Sequence, residues 1–306
     1  MCRENRTPEI TVFTPAYNRG NLIERLYRSL QNQSFHSFEW LVVDDGSTDD
    51  TEERFQKILA EENPFEIRYI KTENGGKHRA INRGVQEAAG RMFVIVDSDD
   101  YLAEEALQTI LDREGEIPAD QRSRFAGICG TKCYAGGRTI GHAPSEILDI
   151  TTLQRREYGL DGDKSEVFYL DILKEYPFPE YEGERFLTEA VVWDRIAADG
   201  YVLRFFPEAL IVCEYREDGL SARAAELNHS NPQGYGLYLS QSAALGKIRG
   251  KEKYREFLDF FYGVREKWSF LKIAEVLHEN PMKLWIIFLG FRIYNKLFDR
   301  SNRGEA

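Results

Sequence analysis

The chain has 306 residues, 42% hydrophobic and 13% aromatic, enough for one large catalytic body with a real core plus an appendage. A net charge of −11 disfavours a nonspecific nucleic-acid binder. Residues 226–306 hold 13 Lys and Arg against 9 Asp and Glu, a surplus of +4 that leaves −15 for the rest. A basic tail on an acidic body suits contact with something anionic.

In chain order, Ile10-Thr11-Val12-Phe13-Thr14 reads as a strand leading into Pro15-Ala16-Tyr17-Asn18-Arg19. Residues 21–31 follow as a helix whose apolar Leu22, Ile23, Leu26, Tyr27 and Leu30 share one face. Phe38 to Val43 is a second strand, ending in Asp44-Asp45-Gly46-Ser47-Thr48 before a helix near Thr51. A third strand spans Ile67–Ile70 and a helix runs from Gly76 to Ala89. Met92-Phe93-Val94-Ile95-Val96 is a fourth strand, ending in Asp97-Ser98-Asp99-Asp100, with a helix over Glu104–Leu111. Strands alternating with helices predict an α/β fold with a mostly parallel, Rossmann-like sheet flanked by helices.

Two apolar strands thus end in adjacent acids. In open α/β sheets, ligands bind beyond the carboxyl ends of the strands, and both acidic tips lie there with Tyr17. Three carboxylates at one tip repel one another unless a cation sits among them. Hard divalent cations take oxygen ligands, and Mg²⁺ commonly uses one or two carboxylates plus substrate phosphates. The 97–100 segment is therefore either a metal-nucleotide site or a solvated acidic turn that caps the next helix.

Four motifs decide between these: Pro15-Ala16-Tyr17-Asn18; Val43-Asp44-Asp45-Gly46-Ser47; Asn74-Gly75-Gly76-Lys77 with Asn82 and Gly84; and Asp97-Ser98-Asp99-Asp100. In this order, each at a strand end, they resemble the nucleotide-binding half of a family 2 glycosyltransferase with the GT-A fold. The resemblance covers residues 9–111 and continues more faintly to about 220. It implies transfer of a sugar from a nucleoside-diphosphate sugar, by preference a UDP-sugar, with inversion, in surface polysaccharide or glycan synthesis. It also implies Mn²⁺ or Mg²⁺ held by Asp97 and Asp99, with Asp100 as a further ligand. Asp45 would read the base, with Asp44 as its secondary partner. Tyr17 would lie against the base, since aromatic faces stack on bases. Pro15 shapes the first turn, and Asn74, Lys77, Arg79 and Ser98 join the nucleotide side. Gly84 lets its helix pack on the sheet.

The same resemblance places an acidic base at the start of the helix that follows Pro179-Glu180-Tyr181-Glu182-Gly183-Glu184-Arg185-Phe186-Leu187-Thr188-Glu189. Glu189 is the first choice, then Glu184 and Glu182. The family's paired acid reads Thr188-Glu189 here. Farther on, strand Leu210–Tyr215 leads to a phosphate-closing loop with Arg216 and Ser221 as contacts and Arg223 as a lesser one. Leu153–Lys174 would shape the acceptor pocket. The expected domains are 1–225, catalytic (1–111 for nucleotide, 112–225 for acceptor), and 226–306, a C-terminal helical appendage.

Within that appendage, the apolar stretch Leu284–Phe291 is too short to span a bilayer. It lies either in the membrane interface, anchored by Trp285, Lys283, Arg292 and Lys296, or packed on the body or on a second copy in a homodimer. The polar start of the chain and four cysteines without a C-x-x-C pair predict a cytoplasmic protein, at the inner membrane face if the tail touches lipid. The expected partners are a nucleotide-sugar and a sugar or lipid-linked acceptor. The rival readings are a nucleotide-sugar-binding regulator without turnover and, lower, a sugar-nucleotidyltransferase. The latter lacks the glycine-rich basic loop it needs after the first strand.

Overall fold

A computed structural model describes residues 7–214 and 224–290. The chain divides into two compact units, Met1–Glu180 with Val192–Ala222, and Tyr181–Val191 with Arg223–Ala306.

The first unit is built on one mixed sheet. Its elements are β1 (Ile10–Ala16), α1 (Ile23–Gln31), β2 (Phe38–Asp44), α2 (Thr51–Leu59), β3 (Glu66–Lys71), α3 (Lys77–Glu87), β4 (Met92–Ile95), β5 (Tyr101–Leu102), α4 (Ala106–Gly115), β6 (Phe125–Tyr134), β7 (Leu148–Ile150), β8 (Lys164–Tyr169), α5 (Leu170–Glu175), α6 (Ala190–Ala198) and β9 (Val202–Cys213). Strand order is β3-β2-β1-β4-β8-β6-β9-β5, with β7 also on β9. The four strands β3, β2, β1 and β4 are wholly parallel. Every residue of β1 and β2 is buried, as expected where helices cover both faces of a parallel sheet. Ile23, Leu26, Tyr27 and Leu30 of α1 enter the same core as Trp40 and Phe55, and the Tyr27 and Trp40 rings stack at 6.0 Å. The expected packing role of Gly84 is visible: a Cβ there would lie 2.2 Å from the Phe13 ring, so α3 reaches the sheet only with glycine at that point.

Beyond β4 the sheet departs from the sequence reading. Leu153–Lys174, expected to shape an acceptor pocket, contains β8, which pairs antiparallel with both β4 and β6. The strand was hidden because it opens on Lys164, which is buried with its ammonium directed at the carbonyls of Asp161 and Gly162. Likewise β9 begins well before Leu210. It carries Pro207 through a register shift against β6, where Thr131 Oγ donates to the Pro207 carbonyl at 3.0 Å.

The second unit holds α7 (Ala224–Ser230), α8 (Pro232–Ala244), α9 (Gly250–Val264), α10 (Phe270–Val276) and α11 (281–290), together with segment Tyr181–Val191. Leu239, Phe257, Phe260, Ile273, Leu284 and Phe288 form its core. Met282, Trp285, Ile286 and Leu289 line the other face of α11 and are exposed. Among the described residues no helix is long and apolar enough to cross a membrane.

Candidate active site

The carboxyl ends of β1, β2, β3 and β4 gather the expected loops. Asn18 ties the first to the second: its N–H donates to Ser47 Oγ at 2.8 Å, and its Oδ1 accepts from the Thr48 N–H at 2.8 Å. Asn18 has φ 53°, a left-handed conformation that asparagine tolerates. Tyr17 beside it is 46% exposed, leaving its ring open to a ligand, while Pro15 is buried within β1.

The paired acids after β2 do different work. Asp44 accepts from the Ser47 N–H at 2.7 Å and from the Tyr69 hydroxyl of β3. Burial and this carboxylate push the Tyr69 phenol up. Asp45, expected to read the base, is 5% exposed and holds the next loop. Its oxygens accept from Gly75 N–H at 2.7 Å, Gly76 N–H at 2.8 Å and Asn74 Nδ2 at 3.1 Å. Gly46, at φ 78°, lets the two loops close together, since a Cβ there would lie 2.7 Å from the Asn74 nitrogen.

After β4, the three acids of the 97–100 segment separate by environment. Lys77, the first residue of α3, sets its ammonium 2.7 Å from Asp97 Oδ1 and 3.0 Å from Oδ2. Burial alone would raise the Asp97 carboxyl, but Lys77, Lys132 and Arg19 together hold it below the usual carboxylate range. Asp100 is buried and accepts from Cys213 Sγ at 3.1 Å; burial, with Asp97 as a like-charged neighbour and against the pull of Lys132, pushes its carboxyl up to about 6. The Asp99 carboxylate has no hydrogen-bond or ion-pair partner among the described residues, although its carbonyl accepts from Arg25 Nη2 at 2.9 Å. Ser98 is buried between them.

Ionised Asp97 and open Asp99 are oxygen donors of the kind a hard cation takes. Among the described residues there is no cluster of three or more acidic, His or Cys side chains that would hold a metal alone. Two carboxylates completed by a diphosphate nevertheless suffice for Mg²⁺ or Mn²⁺. Asp100, buried and directed at Cys213, is poorly suited to be the third ligand.

Lys132 of β6 joins the acidic segment, a contact that no motif in the sequence marks. Its ammonium lies 3.8 Å from Asp100 and, despite burial, Asp97 and Asp100 keep it protonated. The available signal was a lysine inside an otherwise buried strand. Arg79, expected on the nucleotide, donates to the Gly75 carbonyl at 2.6 Å and pairs with Glu180 at 3.2 Å. Asn82 bonds both Glu180 and the backbone of Phe178, so the middle of α3 is tied to the 178–180 segment. Arg216, Ser221 and Arg223 lie outside the described residues.

In the second unit, Glu184 is buried and caps α8, accepting from the Gln233 and Gly234 N–H groups at 2.7 and 2.8 Å. Glu182 is exposed. Glu189 is half-buried and immediately precedes α6, where Thr188 Oγ accepts from the Ala190 N–H.

Residues 11–129 match the family model Glycosyl transferase family 2. The GalNAc(5)-diNAcBac-PP-undecaprenol beta-1,3-glucosyltransferase of Campylobacter jejuni is 33% identical over 111 residues, 36% of this chain and 35% of that protein. The chain covers well under half the length of the first curated relatives it matches. Among solved structures, S. aureus TarS 1-349 in complex with UDP-GlcNAc has a TM-score of 0.55 at 20% identity, covering 93% of this chain and 91% of that one. The mannosyltransferase PcManGT from Pyrobaculum calidifontis in complex with GDP-Man and Mn²⁺ has a TM-score of 0.55 at 16% identity, covering 94% and 86%. With its strand-end motifs assembled on one sheet, the chain has a GT-A fold, and its residues 11–129 match glycosyl transferase family 2.

Proposed function

We propose that this protein transfers a sugar from a nucleoside-diphosphate sugar, by preference a UDP-sugar, to a hydroxyl of a sugar or lipid-linked saccharide acceptor, with inversion. The observation that carries the reading is the pairing of ionised Asp97 with Asp99, whose carboxylate has no partner among the described residues, at the carboxyl end of β4, beside the loops of β1, β2 and β3. Support also comes from the relatives: TarS is seen with UDP-GlcNAc, PcManGT with GDP-Man and Mn²⁺, and the Campylobacter enzyme is named for an undecaprenol-linked acceptor.

In this reading Tyr17 stacks on the base and the Asn74-Gly75-Gly76 loop, fastened by Asp45, approaches the nucleotide through its backbone. Asp97 and Asp99 hold the divalent cation, which when bound neutralises charge developing on the departing diphosphate. Glu189 takes the proton from the acceptor hydroxyl as its oxygen bonds to the anomeric carbon, and the nucleoside diphosphate leaves from the opposite face. Glu184 is set aside as base because both its oxygens serve α8.

The test is nucleotide release from a panel of UDP-, GDP- and dTDP-sugars with Mn²⁺, with and without acceptor saccharides, for wild type and Asp99→Asn. Metal-dependent release from one donor class, lost in the variant while its fold is kept, is expected. Tight nucleotide-sugar binding with no release under any acceptor would mark a regulator without turnover.

A further inference from the structure

We propose that Lys77 competes with the divalent cation for Asp97 and is handed to the diphosphate when the cation takes that carboxylate. The proposal rests on the glycosyltransferase reading above. It starts from a conflict of contacts: the Lys77 ammonium covers both Asp97 oxygens, at 2.7 and 3.0 Å, and these are the atoms a hard cation on Asp97 needs. An ammonium and a dication do not share one carboxylate without strong repulsion. One must give way, and the pair is built for that. Its side chains are 22% and 32% exposed, so it lies at the solvent edge of the site, and lysine carries its charge on a flexible four-carbon stem.

The place of Lys77 in α3 says where the ammonium goes. Lys77 is the first residue of an 11-residue helix, directly after Gly76 at φ 97°, and no acidic residue lies in that first turn. A cation at the positive end of a helix is electrostatically disfavoured, and the same end favours phosphate. Asp97 offsets that cost in the pair; a diphosphate at the helix start would offset it equally well. The handover therefore exchanges one anionic partner for another. Lys132 is the stationary counterpart: it is carried by β6, is 16% exposed, and lies 3.8 Å from Asp100, so one positive charge stays in the acidic segment throughout.

A thermodynamic signature follows. If the cation must displace Lys77, and the displaced ammonium then contacts the diphosphate, part of the mutual tightening between Mn²⁺ and nucleotide passes through Lys77. The experiment uses the full chain as wild type, Lys77→Met and Lys132→Met. Mn²⁺ binding is read by the electron paramagnetic resonance of the free ion, without and with UDP, and UDP binding by calorimetry, without and with Mn²⁺. Lys77→Met is expected to bind Mn²⁺ alone about tenfold tighter than wild type, within the usual range of coupling between sites, and to bind UDP alone less tightly. The factor by which UDP tightens Mn²⁺ should shrink several-fold in Lys77→Met and hold in Lys132→Met. A gain in Mn²⁺ affinity cannot arise from a damaged fold. Unchanged or weaker Mn²⁺ binding by Lys77→Met, or an unchanged coupling factor, overturns the proposal while turnover by wild type leaves the enzyme reading intact. Wild type that neither binds UDP nor releases it from a donor removes both.

Discussion

Changing Asp45 to Asn replaces one oxygen by an amide nitrogen and should unfasten the loop after β3. The carboxylate accepts from Gly75 N–H at 2.7 Å, Gly76 N–H at 2.8 Å and Asn74 Nδ2 at 3.1 Å, with Gly75 and Gly76 on different oxygens. An asparagine can accept on one side only, and its amino group then faces a backbone N–H, donor against donor. Hydrogen bonds to a charged group contribute about 1.5–3 kcal/mol each, and a buried donor left without an acceptor costs about 1–3 kcal/mol. One bond lost and the others weakened at a residue 5% exposed gives a cost of about 3 kcal/mol. For a body of this size that corresponds to a fall in Tm of roughly 6–12 °C. Thermal unfolding by circular dichroism reads the shift, and amide exchange at Gly75 and Gly76 reads the loop. A Tm within roughly 2 °C of wild type, below what even one such bond implies, with unchanged exchange at both glycines, would refute the anchoring role. Asp45 would then return to reading the base, and nucleotide preference would be the property that moves.

Glu189→Gln should keep UDP affinity and lose transfer by at least a hundredfold, the usual contribution of a general base; single-turnover kinetics with saturating donor checks this, and retained transfer moves the base elsewhere. Gly84→Ala should destabilise by about 2 kcal/mol in urea unfolding, because overpacking against a fully buried Phe13, stacked at 5.1 Å on Phe93, outweighs the gain of about 1 kcal/mol in helix propensity. Adding Phe13→Leu should recover part of that loss if the clash is its cause. Glu114 gives the pH dependence. Burial alone would raise its carboxyl, but Arg91, the Tyr169 hydroxyl and Arg122 hold it below its ordinary 4.5. Its pairing therefore adds stability above pH 4.5 and loses it as pH falls through the lower folded-state value. Glu114→Gln should be less stable at pH 7 and show a flatter acid limb of stability, measured by denaturant midpoints from pH 7 to pH 3.

The parallel half of the sheet was legible because each of its central strands is a continuous apolar run closed by a polar tip, and runs of that kind have one good home. Helix faces followed from spacing: Ile23, Leu26, Tyr27 and Leu30 all face the core. What local patterns cannot carry is the direction of a carboxylate. Asp44 and Asp45 are neighbours, yet one is turned toward Ser47 and Tyr69 and the other toward Gly75 and Gly76. Glu184 reads as an acid near a catalytic helix, but its partners lie 49 and 50 residues away on α8. Lys132 joins the acidic segment from a strand whose pairing with β9 no periodicity announces. β8 carries no clear sequence mark because a buried lysine breaks the apolar pattern of a strand.

The sheet ends in β3 on one side and, on the other, in the two-residue β5 and three-residue β7, both laid on β9. An unpaired strand edge is a template for another chain, and natural proteins blunt it with charge or brevity. β3 sets Glu66, Arg68 and Lys71 within six residues, with Arg68 paired to Glu39 and Glu87 and Lys71 to Glu52. Charged side chains along β3 disfavour recruiting a neighbouring backbone there, and β5 and β7 are too brief to seat one. Self-association of concentrated protein, where it occurs, should therefore respond to substitution of Trp285 and Ile286 on α11 and be indifferent to changes along β3.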